Sequence, residues 1–150
     1  MLYFHNYYRA IHSAPPLTIS HRLNLIAQNY ANYLAKNSKF EHSRNRFGNE
    51  TLGENLYMQW ISEGPVPISS RTTVASWYSE INDYDFKRPK YSEETGHFTQ
   101  MVWKSTKRIG IGIALSSNGR EVYFVANYYP AGNIINHGYF EKNVLASRNQ

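Results

Sequence analysis

The chain has no cysteine, so no disulfide framework can staple it and an oxidising compartment offers it no extra stability. No apolar stretch approaches the ~20 residues of a membrane-spanning helix, so no transmembrane segment is expected. The opening residues, Met1-Leu2-Tyr3-Phe4-His5-Asn6, lack the basic and apolar regions of a secretory signal peptide. Blocks of like charge are also missing. The formal net charge of +5 is spread out, densest at Lys87-Arg88-Pro89-Lys90 and from Lys104 to Arg108. This reads as a solvated basic surface, with attraction to an anionic membrane surface as the functional alternative. No stretch interleaves basic and stacking residues as a nucleic-acid module does, so nucleic acid is not an expected partner. Repeats, low-complexity tracts and linkers are absent.

What remains suits one domain spanning residues 1–150. A chain of this size can bury roughly 68–70% of the surface that its unfolded form exposes. Hydrophobic residues at 41% and aromatics at 15%, including 13 tyrosines, argue against disorder.

The periodicity predicts a first helix from about residue 3 to 12, stopped before Pro15-Pro16. A second follows, capped by Ser20 and ended by Asn37 or Ser38. Leu23, Ile26, Ala27, Tyr30, Ala31 and Leu34 form its buried side, with Asn24, Gln28, Asn32 and Lys36 opposite. Lys39 to Thr51 reads mostly as loop, Leu52 to Met58 as a short extended segment, and Ile61 to Ser70 as irregular. A third helix starts at Ser69 or Ser70 with Val74, Trp77, Tyr78 and Ile81 as its stripe; Glu80 lies ~60° around from Trp77. Ile109, Ile111 and Ile113 alternate with Gly110 and Gly112, a strand closely approached on one side. Asn118-Gly119 signals a hairpin. Val122 to Tyr128, apolar on both faces, reads as a central strand. Early and late helices with strands gathered towards the C-terminus give an α+β class.

Between the third helix and these strands lies Gly96-His97-Phe98-Thr99-Gln100-Met101-Val102-Trp103, a short amphipathic helix capped at Thr95 or Gly96. His97 falls in its first turn, where the helix dipole favours the neutral imidazole that can bind a metal or accept a proton. This octapeptide resembles the first signature of the CAP superfamily, the cysteine-rich secretory, antigen 5 and pathogenesis-related group 1 proteins. Tyr123-Phe124-Val125-Ala126-Asn127-Tyr128-Tyr129-Pro130-Ala131-Gly132-Asn133 resembles the second, with Ala126 standing where a cysteine is usual. His5-Asn6 with Arg9, Pro15-Pro16-Leu17, Gly53-Glu54-Asn55, Trp77-Tyr78-Ser79-Glu80 and the stretch from Phe140 to Val144 extend the likeness in family order along nearly the whole chain.

The resemblance implies a three-layer α-β-α sandwich. The missing cysteines make the chain similar to the Golgi-associated branch, so the expected location is intracellular, cytosolic or peripheral on Golgi membranes; the alternative is extracellular, as for most of the family. Members of that branch can be N-myristoylated, but Leu2 stands where that reaction needs glycine. The resemblance also implies a central cleft holding His42, Glu54, Glu80 and His97, which match no local metal motif. Two neutral imidazoles can hold a divalent metal such as zinc, with the glutamates ligating directly or through water. His5 is expected to pack or hydrogen-bond, and His12, His21 and His137 to lie at the surface.

Three function classes follow. The first is a non-enzymatic binding protein with a metal-capable cleft and an apolar surface for lipid or sterol, supplied by Tyr57, Trp60 and Ile61. The second is a hydrolase using the same four cleft residues with metal-bound water or a serine. No Gly-x-Ser-x-Gly elbow is present, and the serines nearest the cleft segments, Ser43, Ser62 and Ser79, lie in no nucleophile motif. The third is an interaction module that self-associates as a homodimer.

Overall fold

The computed structural model describes residues 1–148. Its elements run α1 (Leu2–Ile11), β1 (Thr18–Ile19), α2 (His21–Asn37), β2 (Arg46–Phe47), β3 (Glu50–Thr51), β4 (Gly53–Trp60) and α3 (Ser70–Tyr78). A 3-10 turn (Ser79–Asp83), α4 (Gly96–Met101), β5 (Arg108–Leu115), β6 (Glu121–Tyr129) and α5 (Tyr139–Asn143) complete it. The main sheet has the order β1-β5-β6-β4, with β1 parallel to β5 and the other pairs antiparallel; β2 and β3 form a separate hairpin turning at Gly48 (φ +62°).

β6 is central because its side chains are apolar on both faces. Tyr123 and Val125 pack with Ala27, Ala31 and Leu34 of α2. Ala126 and Tyr128 pack on the other face with Trp77, Phe98, Met101 and Phe140, joined by Leu2, Phe4 and Tyr8 of α1. The result is the α-β-α sandwich, of α+β class.

The caps form as the sequence indicates. Ser20 Oγ accepts from the Leu23 amide at 3.2 Å, Ser38 adopts φ 49° after α2, and Ser69 caps α3. Gly110 and Gly112 let α2 lie directly on β5: a Cβ at Gly110 would fall 2.1 Å from the Leu23 carbonyl carbon, and one at Gly112 2.4 Å from the Ala27 carbonyl oxygen. Asn24 and Gln28, expected opposite the buried stripe, instead reach the free side of β5. Their side-chain oxygens accept from the Ile111 and Ile113 amides at 2.8 and 3.1 Å. β1 is only two residues long, so these side chains satisfy the edge that it leaves uncovered.

His12 is buried, contrary to the surface position expected. Its ring nitrogens lie 2.8 Å from the Leu145 carbonyl oxygen and 2.7 Å from the Tyr78 hydroxyl, because α1 passes under both segments. His5 packs as expected, fully buried, with Nε2 at 2.6 Å from the Tyr128 hydroxyl. Arg9 is also fully buried. Its guanidinium donates to the carbonyls of Pro15, Met101, Trp103 and Thr106 at 2.8–3.0 Å, which ties α1 to the end of α4. Burial lowers its pKa to about 10, so the charge persists at neutral pH.

Candidate functional site

The four side chains that the resemblance implies are gathered as two histidine–glutamate pairs. His42 follows α2 in the loop before β2. Its Nδ1 lies 2.9 Å from Glu54 Oε1. Glu54 is the second residue of β4, opposite Asn127 of β6. That carboxylate is nearly enclosed: Oε1 also accepts from the Ser43 amide at 2.8 Å, and Oε2 from the Ser43 hydroxyl and from Asn127 Nδ2 at 3.1 Å. Burial pushes the Glu54 pKa up, but the hydrogen bonds from His42, Ser43 and Asn127 outweigh it and the net shift is downward. The same bond raises the His42 pKa against partial desolvation.

The second pair joins the 3-10 turn to α4. His97 Nδ1 lies 2.7 Å from Glu80 Oε2, and Glu80 Oε1 accepts from the Phe98 amide at 3.0 Å. Thr95 occupies the N-cap position without a side-chain cap bond. Glu80 therefore supplies the cap from another element, while it orients the imidazole. The His97 ring stacks on Trp77 with planes 15° apart, and Asn55 Nδ2 donates to the His97 carbonyl at 3.1 Å.

His42, Glu54 and His97 line one cleft of about 300 Å³. Its floor is Gln100, buried between Gly53 and Gly132; a Cβ on either glycine would meet the Gln100 amide within 2.6 Å. Gln100 Oε1 accepts from the Gly132 amide at 2.9 Å. Glu80 does not line the cleft; it stands behind His97. Tyr91 and Glu93 line it from the loop before α4, and neither was singled out in the sequence, since nothing local distinguishes Glu93 from an ordinary exposed glutamate.

In both pairs Nδ1 is bound to a carboxylate, so Nε2 is the nitrogen left to the cleft. A carboxylate on one imidazole nitrogen fixes the tautomer and raises the basicity of the other, the usual support for a metal-ligating histidine. This donor set is of the kind that would hold a divalent ion through two imidazoles and water. It does not fit the expectation of direct glutamate ligation, because the oxygens of Glu54 and Glu80 are committed to His42, Ser43, Asn127, His97 and the Phe98 amide. Consistently, no group of three or more His, Cys, Asp or Glu among the described residues is arranged to hold a metal ion.

The expected lipid-facing set separates. Along β4 side chains alternate, so Tyr57 and Trp60 point to opposite faces. Tyr57 and Ile61 pack against the cluster of Val66, Val122 and Phe124, whereas Trp60 is 63% exposed.

The fold is thus an α-β-α sandwich with two carboxylate-backed imidazoles on one cleft. The model of the CAP, cysteine-rich secretory protein family matches residues 2–128, and the chain belongs to that family. It is 43% identical over 141 residues to human Golgi-associated plant pathogenesis-related protein 1, covering 94% of this chain and 87% of that one. It is 37% identical to protein PRY2 of Saccharomyces cerevisiae, with 94% of this chain covered but only 39% of the yeast protein. Among solved structures, BmVAL-1 superposes with a TM-score of 0.67 at 31% identity, over 88% of this chain and 64% of that one. NaASP2, solved with Zn2+, superposes with a TM-score of 0.70 over 97% of this chain and 83% of its own; at 23% identity it speaks to the fold alone.

Proposed function

We propose that the chain is a non-enzymatic binding protein whose cleft takes a divalent ion such as zinc on Nε2 of His42 and His97, and whose exposed apolar and basic surface contacts lipid or sterol. The observation that carries the reading is the matched pairing: each imidazole has Nδ1 fixed by a buried or half-buried glutamate, and both rings open on the same cleft. A bound ion supplies positive charge and open coordination positions there. Glu54 and Glu80 act through the histidines as positioning residues. Two protein ligands make the binding weak, and because a proton competes for the His42 ring, affinity falls as pH drops through its raised pKa.

One observation favours binding over hydrolysis. The Ser43 hydroxyl and His42 Nδ1 both bond to Glu54, so the carboxylate sits between them. A serine nucleophile needs the imidazole in the middle, where it can take the hydroxyl proton. Ser79 is turned away, donating to the Ser76 carbonyl at 2.6 Å.

On this reading the protein works inside the cell at a Golgi or other membrane surface; the human relative's name associates that protein with the Golgi. No helix among the described residues is long and apolar enough to cross a membrane. Zinc titration calorimetry at pH 7.5 tests the cleft. The wild type is expected to bind, Glu54→Gln to bind 10–100-fold more weakly, and a His42→Ala, His97→Ala double variant to lose binding. Equal zinc occupancy in wild type and double variant overturns the reading.

A further inference from the structure

A second cavity, of about 280 Å³, shares no residue with the histidine cleft. It lies where α2 begins, β5 begins and β6 ends, and is lined by Ser20, Arg22, Leu23, Phe47, Arg108 and Tyr129. Arg108 and Tyr129 are brought together as register partners of β5 and β6. Phe47 arrives on the β2–β3 hairpin, so a local two-stranded turn that the sequence shows only as loop supplies one wall. The Phe47 and Tyr129 rings are 5.2 Å apart and tilted by 52°, which leaves a wedge between them instead of a closed stack. The Arg22 guanidinium stands over the Phe47 ring, 5.4 Å from its centroid, and buried Leu23 adds apolar wall.

Neither guanidinium has an ion-pair partner among the described residues, and the first turn of α2 carries no acidic residue. Glu50, the register partner of Phe47 in the β2–β3 hairpin, interacts with the Tyr129 hydroxyl and lines a neighbouring cavity, not this one. The wall is therefore apolar and aromatic, with two fork-shaped donors that no carboxylate engages in an ion pair among the described residues. Guanidinium groups match carboxylates and phosphates two bonds at a time and stack on aromatic faces. The volume lies at the lower limit of ligand cavities, roughly 300 Å³, too small for a long acyl chain and of the right order for one or two fused rings.

We propose that this cavity binds a small planar organic anion, an aryl carboxylate or aryl phosphate, with its ring against Phe47 and Tyr129 and its acidic group between Arg22 and Arg108. The site is independent of the metal cleft, so either can fail without the other.

The test titrates the full chain with 2-naphthoate, its neutral counterpart 2-naphthalenemethanol, inorganic phosphate and phosphatidylserine vesicles at fixed ionic strength. Saturable naphthoate binding is expected, at least tenfold weaker in an Arg22→Gln, Arg108→Gln double variant and unchanged in the His42→Ala, His97→Ala variant. The alcohol and inorganic phosphate are each expected to bind at least tenfold more weakly than naphthoate. Both arginines are exposed, so circular dichroism melting should report an unchanged fold; Phe47→Leu, which removes the stacking wall alone, should also weaken naphthoate. Naphthoate affinity that ignores the arginine change, or that disappears with the cleft histidines, overturns the proposal. So does phosphate binding as tight as naphthoate, or vesicle binding that depends on these arginines when naphthoate does not bind.

Discussion

His5 and His42 share a side chain and titrate in opposite senses, because one is enclosed without a charge partner and the other touches a carboxylate. Burial is the largest influence on His5 and brings its pKa from 6.5 to about 4, although the Met1 carbonyl bond works the other way. Below pH 6.5 the unfolded chain protonates this ring while the folded chain does not, so its stabilising contribution is complete above that pH and is lost as pH falls towards 4. His12, lowered by burial too, adds in the same direction. For His42 the raised pKa reverses the sign: stabilisation is present below 6.5 and fades as pH rises through the folded value, with little weight because the side chain is 65% exposed. Urea unfolding at pH 7 and pH 5 should therefore show a loss on the order of 2 kcal/mol from His5 alone, given its shift from 6.5 to about 4. In His5→Gln, where nothing titrates at that position, the loss between the two pH values should shrink by a similar amount. Identical pH dependence in both proteins would contradict a neutral buried His5.

At the scale of elements, α2 lies directly on the backbone of β5, an approach that depends on hydrogen atoms at Gly110 and Gly112. A methyl at Gly112 meets the Ala27 carbonyl oxygen at 2.4 Å and the Gln28 amide nitrogen at 2.5 Å, backbone atoms that move only with the helix. Lifting α2 loosens its packing on Tyr123 and Val125 and stretches the Gln28 bond to Ile113. Gly112→Ala is expected to lower stability by about 1–3 kcal/mol, read as a lower urea midpoint with an unchanged slope; a midpoint within error of wild type rules out this packing. The glycine alternation, the period of α2, the two-faced run of β6 and the Asn118-Gly119 turn were all legible, because each is a local pattern with a local cause. Glu80 as the cap of α4, His12 under the C-terminal segment and Asn24 as an edge cover were not, because their partners are fixed only by assembly. The cleft lies between these cases. Its pairs join residues 12 and 17 apart in no metal-site spacing, so periodicity leaves them as ordinary surface groups and only the family likeness brings them together. Three steps, an odd number, separate Tyr57 from Trp60 along β4, which places them on opposite faces.

For the molecule as a whole, the two features available to a membrane are diffuse charge and isolated apolar groups. The net charge of +5 is carried by 16 basic residues, and among the described residues none of the lysines or arginines is held in an ion pair with a carboxylate. Such a field attracts anionic headgroups over about a Debye length, roughly 10 Å at 0.1 M salt, and weakens steeply as salt rises. Trp60 acts differently: it is 63% exposed at the end of β4, and the free energy of burying it does not depend on screening. Cosedimentation with phosphatidylserine-containing vesicles should therefore separate two components. Wild type should bind strongly at 20 mM salt and retain a smaller fraction at 500 mM. Trp60→Ser should keep the steep low-salt part and lose the indole's share of the remainder, and tryptophan emission should shift to the blue on binding only in the wild type. If Trp60→Ser and wild type bind alike at both salts, Trp60 is no membrane contact. If neither protein sediments with vesicles at low salt, the diffuse positive field does not draw the molecule to a membrane, and the lipid part of the functional reading fails while the zinc cleft stands on its own test.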